Sequence, residues 1–132
     1  IMAWSPLEGG ILTGKYNGGI PQGSRLDVLK DSFKQTLEKL QSPEGKSQIE
    51  KVQKLTKIAD SLSCSPTVLS LAWAAKNENI TTVILGATKT GQLLENLKAL
   101  DVIDKLTPDI LQQIEEILAN RPEPLPSYGR EM

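Results

Sequence analysis

Histidine is absent from this 132-residue chain, and cysteine occurs once, at position 64. Without histidine, the commonest general acid–base group and the commonest metal ligand are missing. One cysteine and no histidine leave nothing from which to build a structural zinc site. Cys64 has no partner for an internal disulfide, which points to a reducing, cytoplasmic setting. Fifteen basic and sixteen acidic residues are interspersed, for a net charge of −1. No basic block or stripe argues for a nucleic-acid partner. No apolar run reaches membrane-spanning length, and no export-signal pattern opens the chain. The length suffices for one domain with a core of its own.

The informative stretch is Thr82-Val83-Ile84-Leu85-Gly86-Ala87-Thr88, together with the residues after it up to Asn96. β-prone residues end abruptly at Gly86. A polar run, Thr88-Lys89-Thr90-Gly91, leads into helical spacing from Gln92. This order, strand then glycine turn then helix start, presents free N–H groups and the positive end of a helix dipole at the strand's C-terminal end. Such a corner suits a phosphate. Gln92, Glu95 and Asn96 stand at i, i+3 and i+4, on one helix face. They could hydrogen-bond a flat polar group such as a purine. Many strand–helix connections carry a glycine and bind nothing, so the motif by itself leaves both readings open.

Residues 1–4 read as a short buried strand, ended by Ser5-Pro6. The chain begins inside this apolar run, at Ile1, and is expected to be a piece of a longer protein. Five glycines within residues 9–19 predict a mobile loop rather than an element, and loops of this length are usually functional or disordered. The loop carries two isolated cations, Lys15 and Arg25, whose plain alternative is a solvated surface charge. Phe33, Leu37 and Leu40 suggest a short helix, broken by Ser42-Pro43-Glu44-Gly45. Ile49, Val52, Leu55, Ile58, Ala59 and Leu62 form an amphipathic stripe. Ser65-Pro66 opens the next helix with a serine N-cap and proline at N1. That helix is apolar nearly all round, through Val68, Leu69, Leu71, Ala72, Trp73 and Ala75, and should be buried. A strand at 82–85 and a helix over about 90–100 come next. Thr107-Pro108 caps a last helix whose inner face is Ile110, Leu111, Ile114, Ile117 and Leu118. The proline-rich residues 121–132 should form an extended tail beyond a domain of residues 1–120. Two short apolar strands separated by helices imply a parallel pair with right-handed crossovers. Two strands cannot supply the cover and edge partners that such a pair needs, which again suggests a fragment, unstable on its own.

Trp4-Ser5-Pro6-Leu7-Glu8-Gly9-Gly10-Ile11-Leu12-Thr13-Gly14-Lys15-Tyr16 resembles the penultimate strand and following loop of the aldo-keto reductases. Leu85-Gly86-Ala87-Thr88, Gln92 and Glu95-Asn96 resemble the last strand of that family and the helix after it. Residues 58–73 look like the helical region between. The Trp4-Ser5-Pro6-Leu7 run, the Gly14-Lys15-Tyr16 step and Gly86-Ala87-Thr88 suggest the branch containing the voltage-gated potassium channel β subunits. The resemblance implies an α/β fold, the C-terminal portion of a (β/α)8 barrel, with an NADP(H) site at the C-terminal strand ends. It implies that Trp4 stacks on the nicotinamide, against the alternative of a core tryptophan. Ser5, Pro6 and Leu7 would line the pyrophosphate path. Lys15 and Arg25 would neutralise phosphate as the glycine loop folds over the cofactor. Gly86 and Thr88 would sit at the 2′-phosphate end with Gln92 nearby, and Glu95 and Asn96 would face the adenine. Many related reductases carry basic residues where Gly86 and Gln92 stand, which bears on the choice between NADPH and NADH. Glu8 should point to solvent.

The family's catalytic tyrosine, lysine, aspartate and histidine belong to earlier strands. Neither Tyr16 nor Tyr128 matches the tyrosine motif, so no catalytic residue is assigned to this chain. The leading expectation is part of an NADPH-dependent reductase acting on a small carbonyl substrate. The alternative is a regulatory β subunit partnered by a potassium channel α subunit, with a second copy of the chain as a further partner. A third pattern, a helix–turn–helix over residues 58–73, is disfavoured because its Val68, Leu71 and Ala72 face is apolar and cations are few.

Overall fold

The computed structural model describes residues 1–126; Tyr128 and the end of the tail, for which the sequence predicts an extended chain, lie outside the described residues. Strand β1 is Met2–Ala3, followed by a 3₁₀ segment at Glu8–Thr13. Helices α1 (Arg25–Val28), α2 (Lys34–Gln41), α3 (Pro43–Ser61) and α4 (Pro66–Lys76) lead to β2 (Thr82–Val83). After β2 come α5 (Thr90–Leu97), two short 3₁₀ turns at Lys98–Asp101 and Ile103–Lys105, and α6 (Pro108–Leu118). The two strands are parallel neighbours, with Met2 opposite Thr82 and Ala3 opposite Val83. The described residues thus form a partial α/β unit, mostly helical, around one parallel strand pair.

Local chemistry sets the helix starts. The hydroxyls of Ser65 and Thr107 accept from the N–H groups of Val68 and Ile110, and Pro66 and Pro108 follow as first helical residues. Ser42-Pro43 does the same for α3, its hydroxyl accepting from Gly45. The sequence pattern predicts only a break here. In fact Ser42 closes α2, through its N–H to the carbonyls of Glu38 and Lys39, and opens α3 in the same residue. The corner between the two helices is therefore tight.

α4 lies at the centre, against α3, α5, β2 and the 3₁₀ segments. Val68, Leu69, Leu71 and Ala72 are buried with Leu55, Ile58 and Ala59 of α3, Ile114 of α6, and Ala99, Val102 and Leu106. The predicted all-round burial of α4 fails at Trp73, which is 38% exposed. Its side of the helix lacks the cover that Leu69 and Ala72 receive. The inner face of α6 is as predicted. At its end, the Lys51 ammonium donates to the Leu118 carbonyl at 2.5 Å and ties α6 to α3.

Two expectations about the first residues need correction. The first strand is two residues long, and Ile1 and Met2 are exposed rather than buried. A two-stranded sheet has no neighbour to cover the far face or outer edge of β1. The glycine-rich loop is not structureless either, since Glu8–Thr13 is 3₁₀ with a kink at Gly9 and Gly10. Leu7 and Leu12 pack against the core and Tyr16 is only 2% exposed, so apolar side chains draw the loop onto α3 and α4. Gly10, at φ +103°, supplies a backbone conformation that other residues rarely adopt. Glu8 is exposed, as expected. Residues 121–126 have no regular structure and are exposed.

Candidate functional site

Because β1 and β2 run parallel in register, both chains leave the sheet at the same end. The Ile84 N–H donates to the Ala3 carbonyl at 2.9 Å, so Trp4 and Ile84 leave side by side. The two regions singled out in the sequence are therefore neighbours, although some 80 residues separate the paired Ala3 and Val83.

Trp4 stands at the rim of the strand pair and is 83% exposed among the described residues. Ser5 adopts a positive φ of 52°, and its carbonyl accepts from the Glu8 N–H. This reverses the chain directly after the strand. Pro6 and Leu7 are half-buried, and the Leu7 carbonyl accepts from Gly10 and Leu12. Both loop cations are exposed but held near aromatic faces. The Lys15 ammonium lies 5.2 Å from the Tyr16 ring centroid, and the Arg25 guanidinium 4.5 Å from that of Phe33. Such contacts orient a cation without neutralising it.

Beyond β2, Gly86 is exposed, with no atom within 4 Å of where a Cβ would lie. Gln92 folds back so that its side-chain oxygen accepts from the Thr88 N–H at 2.8 Å, the Thr88 hydroxyl at 3.1 Å and the Lys89 N–H at 3.3 Å. Glu95 turns the other way. It accepts from the Ser65 hydroxyl at 2.7 Å and pairs with Lys98 at 2.7 Å. The Lys98 contact first, then Ser65, holds its carboxyl below the usual glutamate value. Asn96 is 5% exposed and lines a groove of about 270 Å³ between α4, β2 and α5, beside Leu71, Thr82 and Leu85. Gln92, Glu95 and Asn96 thus lie within about one turn of α5 but take three different directions.

A second groove, about 590 Å³, is lined by Asp60, Cys64, Ser65, Glu95, Lys98 and Lys105. Burial pushes the Cys64 thiol up, against the pull of Lys105 and with the help of Asp60 and Glu95. Among the described residues no three His, Cys, Asp or Glu side chains converge to hold a metal ion, and no helix is long and apolar enough to cross a membrane.

The sequence matches the aldo/keto reductase family over residues 1–119. The chain belongs to that family. It is also 53% identical, over 115 residues, to a Schizosaccharomyces pombe protein named as a candidate voltage-gated potassium channel subunit beta. That match covers 87% of this chain and 33% of the relative, so the chain spans about a third of the length of the curated relative it matches. The family's fold is a (β/α)8 barrel, in which functional groups collect at the C-terminal strand ends. In this aldo-keto reductase chain those ends carry Trp4 and Gly86.

By sequence Ser65 is recognisable only as a helix cap. In the aldo-keto reductase chain it also holds Glu95, 30 residues later. No spacing rule could have found that pair, since it forms only when α4 packs on α5. Ser65→Ala should cost about 1 kcal/mol by loss of the cap. It should also raise the Glu95 pKa towards its usual value, while Lys98 keeps it depressed. A carboxylate whose pKa is lowered by folding stabilises above its unfolded pKa and loses that effect as pH falls through its folded pKa. The wild-type advantage over the variant should therefore be greatest near neutral pH and shrink in acid. Urea midpoints against pH, with an NMR titration of Glu95, check this.

Proposed function

We propose that residues 1–120 form the last two strands of a (β/α)8 barrel with their helices, and carry much of the NADP(H) site of a carbonyl-reducing aldo-keto reductase. The juxtaposed ends of β1 and β2 carry this reading. They bring the backbone of Trp4, which carries an exposed indole, beside Ile84, two residues before Gly86 and the turn that leads into α5. The residues suit a dinucleotide in kind: an aromatic plane, exposed cations, an open glycine, and amide and carboxylate groups. Bound NADPH would supply the hydride that reduces an aldehyde or ketone.

In this reading Trp4 stacks on the nicotinamide, and Ser5, Pro6 and Leu7 flank the pyrophosphate. Lys15 and Arg25 balance its charge from the loop. Gly86 admits the adenosine ribose closely, with Thr88 and Gln92 beside it. Asn96 and Glu95 face the adenine in this reading, which requires Glu95 to swing away from Ser65 and Lys98, because the two side chains line different grooves in the structure. The proton donor for the carbonyl oxygen comes from outside this chain, in the remainder of the barrel. The single cysteine, Cys64, suits a reducing, cytoplasmic setting for this chemistry.

Titrating the protein with NADPH while following tryptophan fluorescence tests this. Trp4 emission should be strongly quenched, and Trp4→Phe should remove most of the quenching, leaving that of Trp73. Trp4→Ala should weaken binding by roughly 1–3 kcal/mol, the usual worth of an aromatic stacked on a heterocycle. Unquenched emission at saturating NADPH would defeat the assignment.

The S. pombe relative's name favours a second reading, in which the same fold and cofactor regulate a potassium channel. A second copy of the chain would then join the channel α subunit as a partner. Capture of a channel's cytoplasmic domain by the parent protein would support it, and no capture would favour the plain enzyme.

A further inference from the structure

The side chain of Lys15 does not trail freely from the glycine loop. Its ammonium lies 5.2 Å from the centroid of the Tyr16 ring. It also lies against Gly10. A Cβ built on Gly10 would stand 2.8 Å from Lys15 Cε, 3.0 Å from its Nζ and 3.5 Å from Tyr16 Cε2. The space that a side chain at position 10 would fill is thus taken by the end of Lys15. The Thr13 hydroxyl fastens the two backbones together. It donates to the Gly10 carbonyl at 2.6 Å and accepts from the Lys15 N–H at 3.3 Å.

The Tyr16 side of this seat is fixed. Tyr16 is 2% exposed, so burial holds its ring still while the lysine lies against it. Its hydroxyl is buried with no hydrogen-bond partner among the described residues, so the ring serves Lys15 through its face. Lys15 itself stays exposed, and among the described residues no carboxylate pairs with it. The outcome is a cation that is oriented and still carries its full charge outward. A free lysine loses rotamer freedom when it grips an anion, and one already seated loses less.

We propose that Gly10 and Tyr16 are positioning residues, which hold the Lys15 ammonium in place for the dinucleotide pyrophosphate before the cofactor arrives. The inference rests on the cofactor site proposed above. Gly10 contributes by having no side chain, and Tyr16 by the face of a buried ring. Both act through Lys15. The pyrophosphate is common to NADPH and NADH, so the seat serves the two alike.

The test is to measure NADPH and NADH dissociation constants for the parent protein and for variants at these three positions. Lys15→Met should weaken both dinucleotides about tenfold, the scale of a charge-assisted contact. Tyr16→Leu should weaken both by about two- to fivefold, the scale of a cation–π contact at an exposed site. Tyr16→Phe keeps the ring face and should bind as the unaltered protein does. Gly10→Ala should weaken both by displacing the ammonium. Coupling separates positioning from a purely structural effect. In a Lys15→Met background, Tyr16→Leu and Gly10→Ala should each add less than about a twofold change. The two cycles are independent, so if one variant fails to fold the other decides. Full effects that persist without the lysine would overturn the positioning role, as would Lys15→Met leaving both constants unchanged; the cofactor site would stand in either case. Failure of the unaltered protein to bind either dinucleotide would remove the site itself, and this inference with it.

Discussion

Leu69→Ala is expected to lower the unfolding free energy by about 2–5 kcal/mol, the range for truncating a fully buried leucine. Leu69 is 1% exposed, in the middle of the helix against which most other elements pack. The loss has two parts: transfer of the deleted carbons from water, and the cavity they leave behind. Here the cavity cannot easily close. Ser65-Pro66 anchors one end of α4, and α3, α5 and the 3₁₀ turns enclose its sides. Leu94→Ala is the matched control. Leu94 is 60% exposed on α5, and its truncation should change stability by no more than about 0.5 kcal/mol. Urea unfolding followed by circular dichroism gives both numbers. Equal midpoints for the two variants would show that α4 is not the centre of the core.

Gly45→Ala should destabilise, although alanine in place of a helical glycine ordinarily gains about 1 kcal/mol. Gly45 lies in the first turn of α3, directly beneath the end of α2. A Cβ built there would stand 2.5 Å from the Leu40 Cα and closer still to the carbonyl oxygens of Lys39 and Leu40. Those atoms are backbone, so no rotamer change makes room. Either α2 moves away or the cap from Ser42 to Gly45 breaks. The expected net loss is about 1–3 kcal/mol, the usual cost of overpacking. It should come with weaker protection of the amides of α2 and the first turn of α3. Hydrogen exchange locates the change, and urea unfolding measures it. A stabilised variant would mean that the corner between α2 and α3 has room for a methyl group.

Much of the architecture is legible in the sequence because it follows from short-range chemistry. Ser65-Pro66 and Thr107-Pro108 open helices wherever they occur ahead of apolar periodicity, since hydroxyl and proline geometry need no distant partner. The same grammar is present at Ser42-Pro43. There the preceding helix hides it, because Ser42 serves both. Trp73 and the glycine loop depart from expectation for a different reason. Whether an apolar residue is covered, or a glycine-rich segment is drawn down by its leucines and tyrosine, depends on what lies opposite.

The candidate site divides along the same line. Composition and order alone determined the class of the chain: helices between two parallel strands, each ending in a turn with groups suited to a dinucleotide. The motifs at Trp4-Ser5-Pro6-Leu7 and Gly86-Ala87-Thr88 were enough to suggest the family. Only the tertiary structure decided that Trp4 is exposed at the rim, that Glu95 is held by Ser65, and that Gln92 is spent on its own turn. The reason is physical. Capping, periodicity and turn geometry are satisfied within a few residues, whereas the direction of a side chain is set by hydrogen-bond and packing partners brought together by folding.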